Sequence, residues 1–288
     1  AQKLVDAGVV AVVGHLNSGT TIPASKIYSD AGIVQISPSA TNPKYTEQGF
    51  KTAFRVVAND NQQGAVLANF AAGELKAKTI AIIDDRTAYG QGLADVVERV
   101  AKEKGLKVVA REFTTDKATD FNAILTKVRA AKPEVVMYGG MDATAGPMAK
   151  QMKQLGMKSV FVAGDGVCSP EFIKLAGEAG SGMTCSMAGE AVEKLAKGEE
   201  FKAKYKAKFN QDVQIYSPYS YDAVYVIAEA IKRAGGPDKA KIVAEVAKTD
   251  HNGVTGQIRF DEKGDVKDGA ISMFVVKGDK LEYISTSR

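Results

Sequence analysis

The sequence predicts an α/β protein built as two doubly wound parallel-sheet lobes. Two observations carry this. First, short and almost uninterrupted apolar runs rich in Val and Ile alternate with segments of 3.6-residue apolar period, each stopped by Gly or Pro. Runs that are apolar on both faces are strands covered by helices, and strand–helix alternation means parallel pairing through right-handed crossovers. Second, "VVGHLNSGTTIPASKIYSDAGI" and "MYGGMDATAGPMAKQMKQLGM" share one scheme of strand, glycine, polar loop, helix, glycine and apolar residue. A repeated α/β half suggests two lobes facing each other.

The elements follow in order. "AQKLVDAG" is the end of a helix, "VVAVVG" a β-branched strand, "TTIPASKIYSDAG" a helix closed by Gly32, and "IVQISPSATNP" a strand entering a polar loop. "NQQGAVLANFAAGELKA" is a helix and "TIAIIDD" a strand. "YGQGLADVVERVAKEKG" is a helix ending at Gly105, and "LKVVAREFT" a strand. "DFNAILTKVRAAKP", "EVVMYGG", "AGPMAKQMKQLG" and "SVFVAGDG" continue the alternation. After Gly189 the texture turns lysine-rich. "EAVEKLAKGEEFKAKYKAKFNQ" predicts a solvated helix whose Phe201, Tyr205 and Phe209 pack inward. "SPYSYDAVYVIAEAIKRAGG" predicts an amphipathic helix, and the tail predicts two or three strands with a hairpin turn at "DEKGD". That turn lacks the alternating acidic ligands and distal Glu of a calcium loop.

Composition narrows the function. A chain of 288 residues that is 45% hydrophobic buries a sizeable core, as one large or two medium domains. The net charge of +4 is spread among interspersed Lys and acidic residues, and Trp is absent. This is no nucleic-acid binder, which concentrates basic residues and base-reading side chains on one face. No apolar run reaches the roughly 18 residues of a membrane span. The two cysteines, Cys168 and Cys185, are either buried free thiols or one short-loop disulfide in an oxidising compartment. No metal-ligand spacing and no cofactor motif occurs.

In open parallel sheets ligands bind beyond the carboxyl ends of the strands. That rule selects the loops His15–Thr21, Ser37–Asn42, Asp84–Tyr89, Gly139–Ala145 and Gly164–Ser169, all rich in Gly, Ser, Thr or Asp. Ser18 stands where a strand feeds a helix N-terminus, whose amides and dipole favour an anion. "SPSATNP" adds hydroxyls and amides. No Lys or Arg precedes Lys26 in these segments, so a single carboxylate fits better than a phosphate. Asp165, in "AGDG", is either a turn or capping residue or a partner for a ligand ammonium. Tyr89 and Tyr216 lie at loops, where an aromatic walls an apolar pocket or caps the core. Met141 and Asp142 fill the matching loop of the other half. Catalysis is disfavoured: G-x-S-x-G is absent around Ser18, His15 has no evident orienting acid, and "YGQGLA" does not complete a dinucleotide fingerprint.

With "VVGHLNSGTTIPAS", "ISPSATNP", "RTAYGQGLA", "YGG", "AGDG" and "FDEKGD" in this order and spacing, the chain resembles the type I periplasmic substrate-binding proteins of ABC importers, branched-chain amino-acid group. The resemblance covers essentially the whole chain. It implies two lobes joined by a three-stranded hinge, residues 1–59 plus 189–270 forming the N-terminal lobe and 60–188 plus 271–288 the C-terminal one. It implies an amino acid bound between them, no cofactor, a membrane permease as partner and a periplasmic or extracytoplasmic setting, the signal peptide not being in this chain. Carried over by position, Ser18 and Thr41 hold the ligand carboxylate with backbone amides near Ser39 and Ala40. Tyr89 closes over the ligand, Asp165 pairs with its ammonium, and Tyr216 walls the side-chain pocket. Met141 stands where some members have an aromatic. The same resemblance favours a Cys168–Cys185 disulfide. Family members begin with a strand, a helix and a second strand absent from this sequence, which implies an incomplete N-terminal lobe: either the chain is a fragment, or it is one half of a split or nicked protein in which a separate chain or segment supplies those strands. The alternative function is a ligand-sensing regulatory domain of the same fold that takes amides or other small amino compounds.

Overall fold

The structure, a computed structural model, describes residues 1–288. The chain divides into two compact units, Ala1–Asn59 with Ala188–Ala270 and Arg288, and Asp60–Met187 with Ile271–Ser287. Unit 1 opens with α1 (Gln2–Asp6), β1 (Ala11–Val13), α2 (Ser18–Asp30), β2 (Val34–Ser37), α3 (Lys44–Glu47) and β3 (Ala53–Arg55). Most of unit 2 follows: α4 (Asp60–Gly73), β4 (Thr79–Asp84), α5 (Ala88–Glu103), β5 (Lys107–Phe113) and α6 (Asn122–Ala130). It continues with β6 (Val135–Gly139), α7 (Asp142–Gln154), β7 (Val160–Ala163), α8 (Pro170–Ala176) and β8 (Thr184–Met187). The chain then returns to unit 1 as α9 (Gly198–Phe209), α10 (Ser217–Ala234), α11 (Lys239–Ala247), β9 (His251–Asn252) and β10 (Gln257–Ile258). It ends in unit 2 with β11 (Ile271–Lys277) and β12 (Lys280–Ser287).

In unit 1, β1, β2 and β3 pair in parallel in that order, with Val12 opposite Gln35 and Ile36 opposite Phe54. Helix α2 covers this sheet because Thr21, Ala24, Ser25 and Tyr28 recur on one face, and Ala24 and Tyr28 meet Val12 and Ile33 in the core. Helices α10 and α11 also pack on β1 and β2. A short antiparallel pair, β9 with β10, completes the unit.

Unit 2 is one seven-stranded sheet ordered β12-β11-β8-β7-β6-β4-β5. Its strands from β8 to β5 pair in parallel, as the alternation predicts, but β11 joins β8 antiparallel and β12 joins β11 antiparallel. The sheet is therefore mixed. Strand β12 follows β11 through a tight turn that only an antiparallel hairpin closes, whereas β11 comes back to β8 after the chain has passed through α9, α10 and α11 of unit 1. Helix α5 buries Tyr89, Leu93, Val97 and Val100, one stripe at helical spacing, and packs beside α4. Its first turn lies flush on the end of β6: a Cβ on Gly139 would stand 2.2 Å from the carbonyl oxygen of Gly90. That contact seats Tyr89 at the carboxyl ends of the strands.

One predicted element departs from expectation. The lysine-rich segment after Gly189 is a 3-10 turn at Val192–Lys194 followed by α9. Of its three rings only Phe201 is buried; Tyr205 is half-buried and Phe209 is 53% exposed. The rings instead run along the helix surface, Phe201 on Tyr205 and Tyr205 on Phe209, with centroids 5.9 and 4.8 Å apart.

Candidate functional site

Most of the expected residues follow the strands of their own unit. In unit 1 Ser18, Ser39, Ala40 and Thr41 lie on the α2 N-terminus and the loop after β2, whereas Tyr216 stands apart from them at the start of α10. Ser18 is the first residue of α2, one step inside the helix rather than ahead of it, and Asn17 is the N-cap without a side-chain capping bond. The buried Ser18 Oγ accepts the Asn42 amide at 3.2 Å, which leaves its own proton to donate. The loop is tied inward by Ser37, whose Oγ accepts the Ala40 amide at 2.9 Å and the Ser39 amide at 3.4 Å while donating to the His15 carbonyl at 2.9 Å. The amides of Ser39 and Ala40, expected to face a ligand, are thus turned onto Ser37, and the Ser39 hydroxyl donates to the Leu16 carbonyl at 2.9 Å. Thr41, buried beside them, makes none of the loop's internal hydrogen bonds. Its amide and hydroxyl are donors that the loop's own hydrogen bonding does not use. Tyr216 is the half-buried N-cap of α10, and its carbonyl accepts the Ser220 amide at 2.9 Å.

His15 is not a base for Ser18. Its Nε2 lies 3.0 Å from the Tyr28 hydroxyl and its ring stacks on that of Tyr28. Burial, with the positive N-terminus, holds its pKa below the usual histidine value. No carboxylate orients it.

In unit 2, Asp165 follows β7 and is only 6% exposed. Its Oδ1 accepts two neutral donors, the Tyr89 hydroxyl at 2.8 Å and the Gln63 Nε2 at 2.8 Å. Tyr89 lies in the first turn of α5, not in the loop, and its hydroxyl also accepts the Gly166 amide at 3.0 Å. Its hydroxyl is therefore a support for Asp165. Gln63 is fully buried: its Nε2 also donates to Asp60 at 2.8 Å and its Oε1 accepts the Ser186 hydroxyl at 2.9 Å. Tyr89 and Gln63 thus orient the Asp165 carboxylate from two elements, α5 and α4. Met141 caps α7, and its sulfur packs over Gly166, where a Cβ would stand 2.7 Å from Sδ. Close by, Cys168 and Cys185 form a disulfide with a Cα–Cα distance of 5.4 Å, tying the Asp165 loop to β8.

Sequence reasoning missed Gln63, Asp60 and Ser37. Gln63 is 102 residues from Asp165, and only the packing of α4 beside β8 brings it in. Ser37 was visible in "SPSATNP" but read as part of the loop rather than as its fastener. No His, Cys, Asp or Glu side chains group as metal ligands, and no helix is long and apolar enough to cross a membrane.

One α/β unit thus carries the buried Ser18 and Thr41 beyond its strands, and the other carries the buried, oriented Asp165. Residues 1–280 match the family model for periplasmic binding proteins, and the chain belongs to that family. It is 40% identical over 268 residues to Leu/Ile/Val-binding protein homolog 1 of Brucella abortus (strain 2308), covering 93% of this chain and 72% of the relative. It is 38% identical over 267 residues to the leucine-, isoleucine-, valine-, threonine- and alanine-binding protein of Pseudomonas aeruginosa, covering 93% and 71%. The fold is shared with the leucine binding protein LivK of Thermotoga maritima at a TM-score of 0.93 and 29% identity, covering 99% of this chain and 81% of that one. It is also shared with the branched-chain amino-acid substrate binding protein LivJ of Streptococcus pneumoniae in complex with isoleucine, at a TM-score of 0.87 and 29% identity, covering 98% and 79%.

Proposed function

We propose that this chain is an extracytoplasmic receptor for a branched-chain or other small neutral α-amino acid, which it delivers to the permease of an ABC importer. The Thr41 amide and hydroxyl and the Ser18 hydroxyl take the ligand carboxylate, Asp165 takes its ammonium, and Tyr216 and Met141 border its side chain. The observation that carries this is the Asp165 carboxylate, buried just after β7 and oriented by the Tyr89 hydroxyl and the Gln63 amide group. A carboxylate oriented in this way suits a charge-assisted hydrogen bond from an ammonium. The relatives' names, which specify leucine, isoleucine and valine, support the choice of ligand. A ligand of about nine non-hydrogen atoms, near the ceiling of about −1.5 kcal/mol per atom, has ample binding energy for micromolar affinity. Binding needs no covalent chemistry.

Titration calorimetry with L-leucine, preceded by a thermal-shift panel of amino acids, small amides and γ-aminobutyrate, tests the reading. A melting shift confined to neutral aliphatic α-amino acids is expected. A panel that responds to amides alone overturns it in favour of a sensor.

A further inference from the structure

Arg55, the last residue of β3, has no exposed surface, and its guanidinium makes four hydrogen bonds inside unit 1. Nε donates to Asp265, one terminal nitrogen donates to the carbonyls of Ala40 at 2.8 Å and Asn42 at 3.0 Å, and the other donates to the Thr46 hydroxyl at 2.7 Å. The Tyr45 ring lies 5.4 Å from its Cζ. A buried ion pair is weak support for stability on its own. The two carbonyls it grips bracket Thr41. The Ala40–Thr41 peptide is trans, so its C=O and N–H point in opposite directions. Holding the Ala40 oxygen against the guanidinium therefore turns the Thr41 N–H away from it. Holding the Asn42 oxygen fixes the residue whose amide occupies Ser18 Oγ, and so fixes which way the Ser18 proton is free to point.

The counter-charge comes from "DEKGD", which at sequence level reads as a plain hairpin turn. Asp261 Oδ1 accepts the amides of Lys263, Gly264 and Asp265, each at 2.9 Å, so the turn is internally fastened. The Gly264 carbonyl accepts the Arg55 amide at 3.0 Å. At Gly264, φ is +99° and a Cβ would stand 2.1 Å from the Ala53 carbonyl oxygen, so the turn lies directly on β3. Asp265 also accepts the Thr46 hydroxyl at 2.9 Å and the Asn59 amide group at 3.1 Å.

We propose that Arg55, braced by Asp265, is a positioning residue for the ligand carboxylate: it acts through the Ala40 and Asn42 carbonyls to aim the Thr41 amide and the Ser18 hydroxyl, and does not touch the ligand. The proposal rests on the amino-acid reading above. Lysine keeps the charge but, with three donors on one nitrogen, cannot span these four acceptors as the planar guanidinium does. In calorimetry, Arg55→Lys is expected to bind L-leucine about tenfold more weakly. Its affinity for L-leucinamide, which lacks the carboxylate, should change by less than about threefold, so the leucine-to-leucinamide ratio falls. Asp265→Asn, which retains hydrogen-bonding capacity while removing the charge, should lower the ratio in the same direction and covers the case in which Arg55→Lys fails to fold. Wild-type protein is the control that separates the two readings. If it binds no amino acid, the receptor reading falls and this one with it. If wild type binds L-leucine but the ratio is unchanged in the folded variants, or both ligands weaken equally, the positioning role alone is overturned.

Discussion

Asp165 is where a single atom's replacement reports on function. Asp165→Asn keeps the shape and the acceptor for Tyr89 and Gln63 but removes the charge. It should weaken L-leucine binding by about 1.5–3 kcal/mol in calorimetry. Lys26→Ala is the contrast: Lys26 is exposed and paired at 2.9 Å with Asp30, and should change binding by less than about 0.5 kcal/mol. Equal losses in the two variants would remove Asp165 from the site. Asp85 offers a pH signature nearby. It is buried, its Oδ1 accepts the Thr87 amide and hydroxyl at 2.9 and 2.6 Å, and its Oδ2 has no partner. Burial raises its pKa above 3.8, the Thr87 bonds oppose this, and Asp84 and Asp116 add to the rise. A raised carboxyl contributes stability that is full below 3.8 and is lost as pH rises through the folded pKa. Asp85→Asn should therefore gain stability relative to wild type at pH 8 compared with pH 4, measured by urea unfolding. An identical difference at both pH values would refute a charged, buried Asp85.

At the scale of elements, the disulfide and the Gly90–Gly139 contact hold the Asp165 half-site. Replacing both Cys168 and Cys185 by Ser should cost unit 2 about 3 kcal/mol, read as a lower urea midpoint than wild type under non-reducing conditions. Gly90→Ala places a Cβ 2.3 Å from the Gly139 carbonyl oxygen, and α5 must then lift off β6. A loss of about 1–3 kcal/mol is expected in the same assay, together with weaker leucine binding because Tyr89 moves with the helix. The helices and parallel strands were legible because their signals are local: apolar period and stop residues at Gly32, Gly105 and Gly156 need no partner to be read. The α9 face was not, since spacing by four places Phe201, Tyr205 and Phe209 on one side without saying what covers it. Likewise "AGDG" exposed Asp165 as a candidate, but nothing near it in sequence announces Gln63. Arg55 was hidden for the same reason. A lone Arg after "AF" carries no pattern until the loop and the "DEKGD" turn close around it.

The whole chain is basic, with a net charge of +4, yet its proposed ligand is a zwitterion with no net charge. Long-range attraction therefore contributes little, and the contacts named above are buried and weakly screened. Leucine affinity should vary by less than roughly twofold between low and physiological salt, whereas steering by net charge would give a steep dependence. A steep slope in salt-dependent calorimetry would point to an anionic ligand instead. The mixed sheet of unit 2 has a consequence for how the chain comes into being. Strand β11 sits between β8 and β12, so the neighbours of β8 on that side, β11 and β12, are made only after α9, α10 and α11. Until they emerge from the ribosome, β8 presents an open edge and the sheet lacks two strands. Unit 1 is likewise unfinished until α10 and α11 are made. The sheet of unit 2 is thus completed only after the chain has passed through unit 1, so unit 2 cannot lock before α9, α10 and α11 are made.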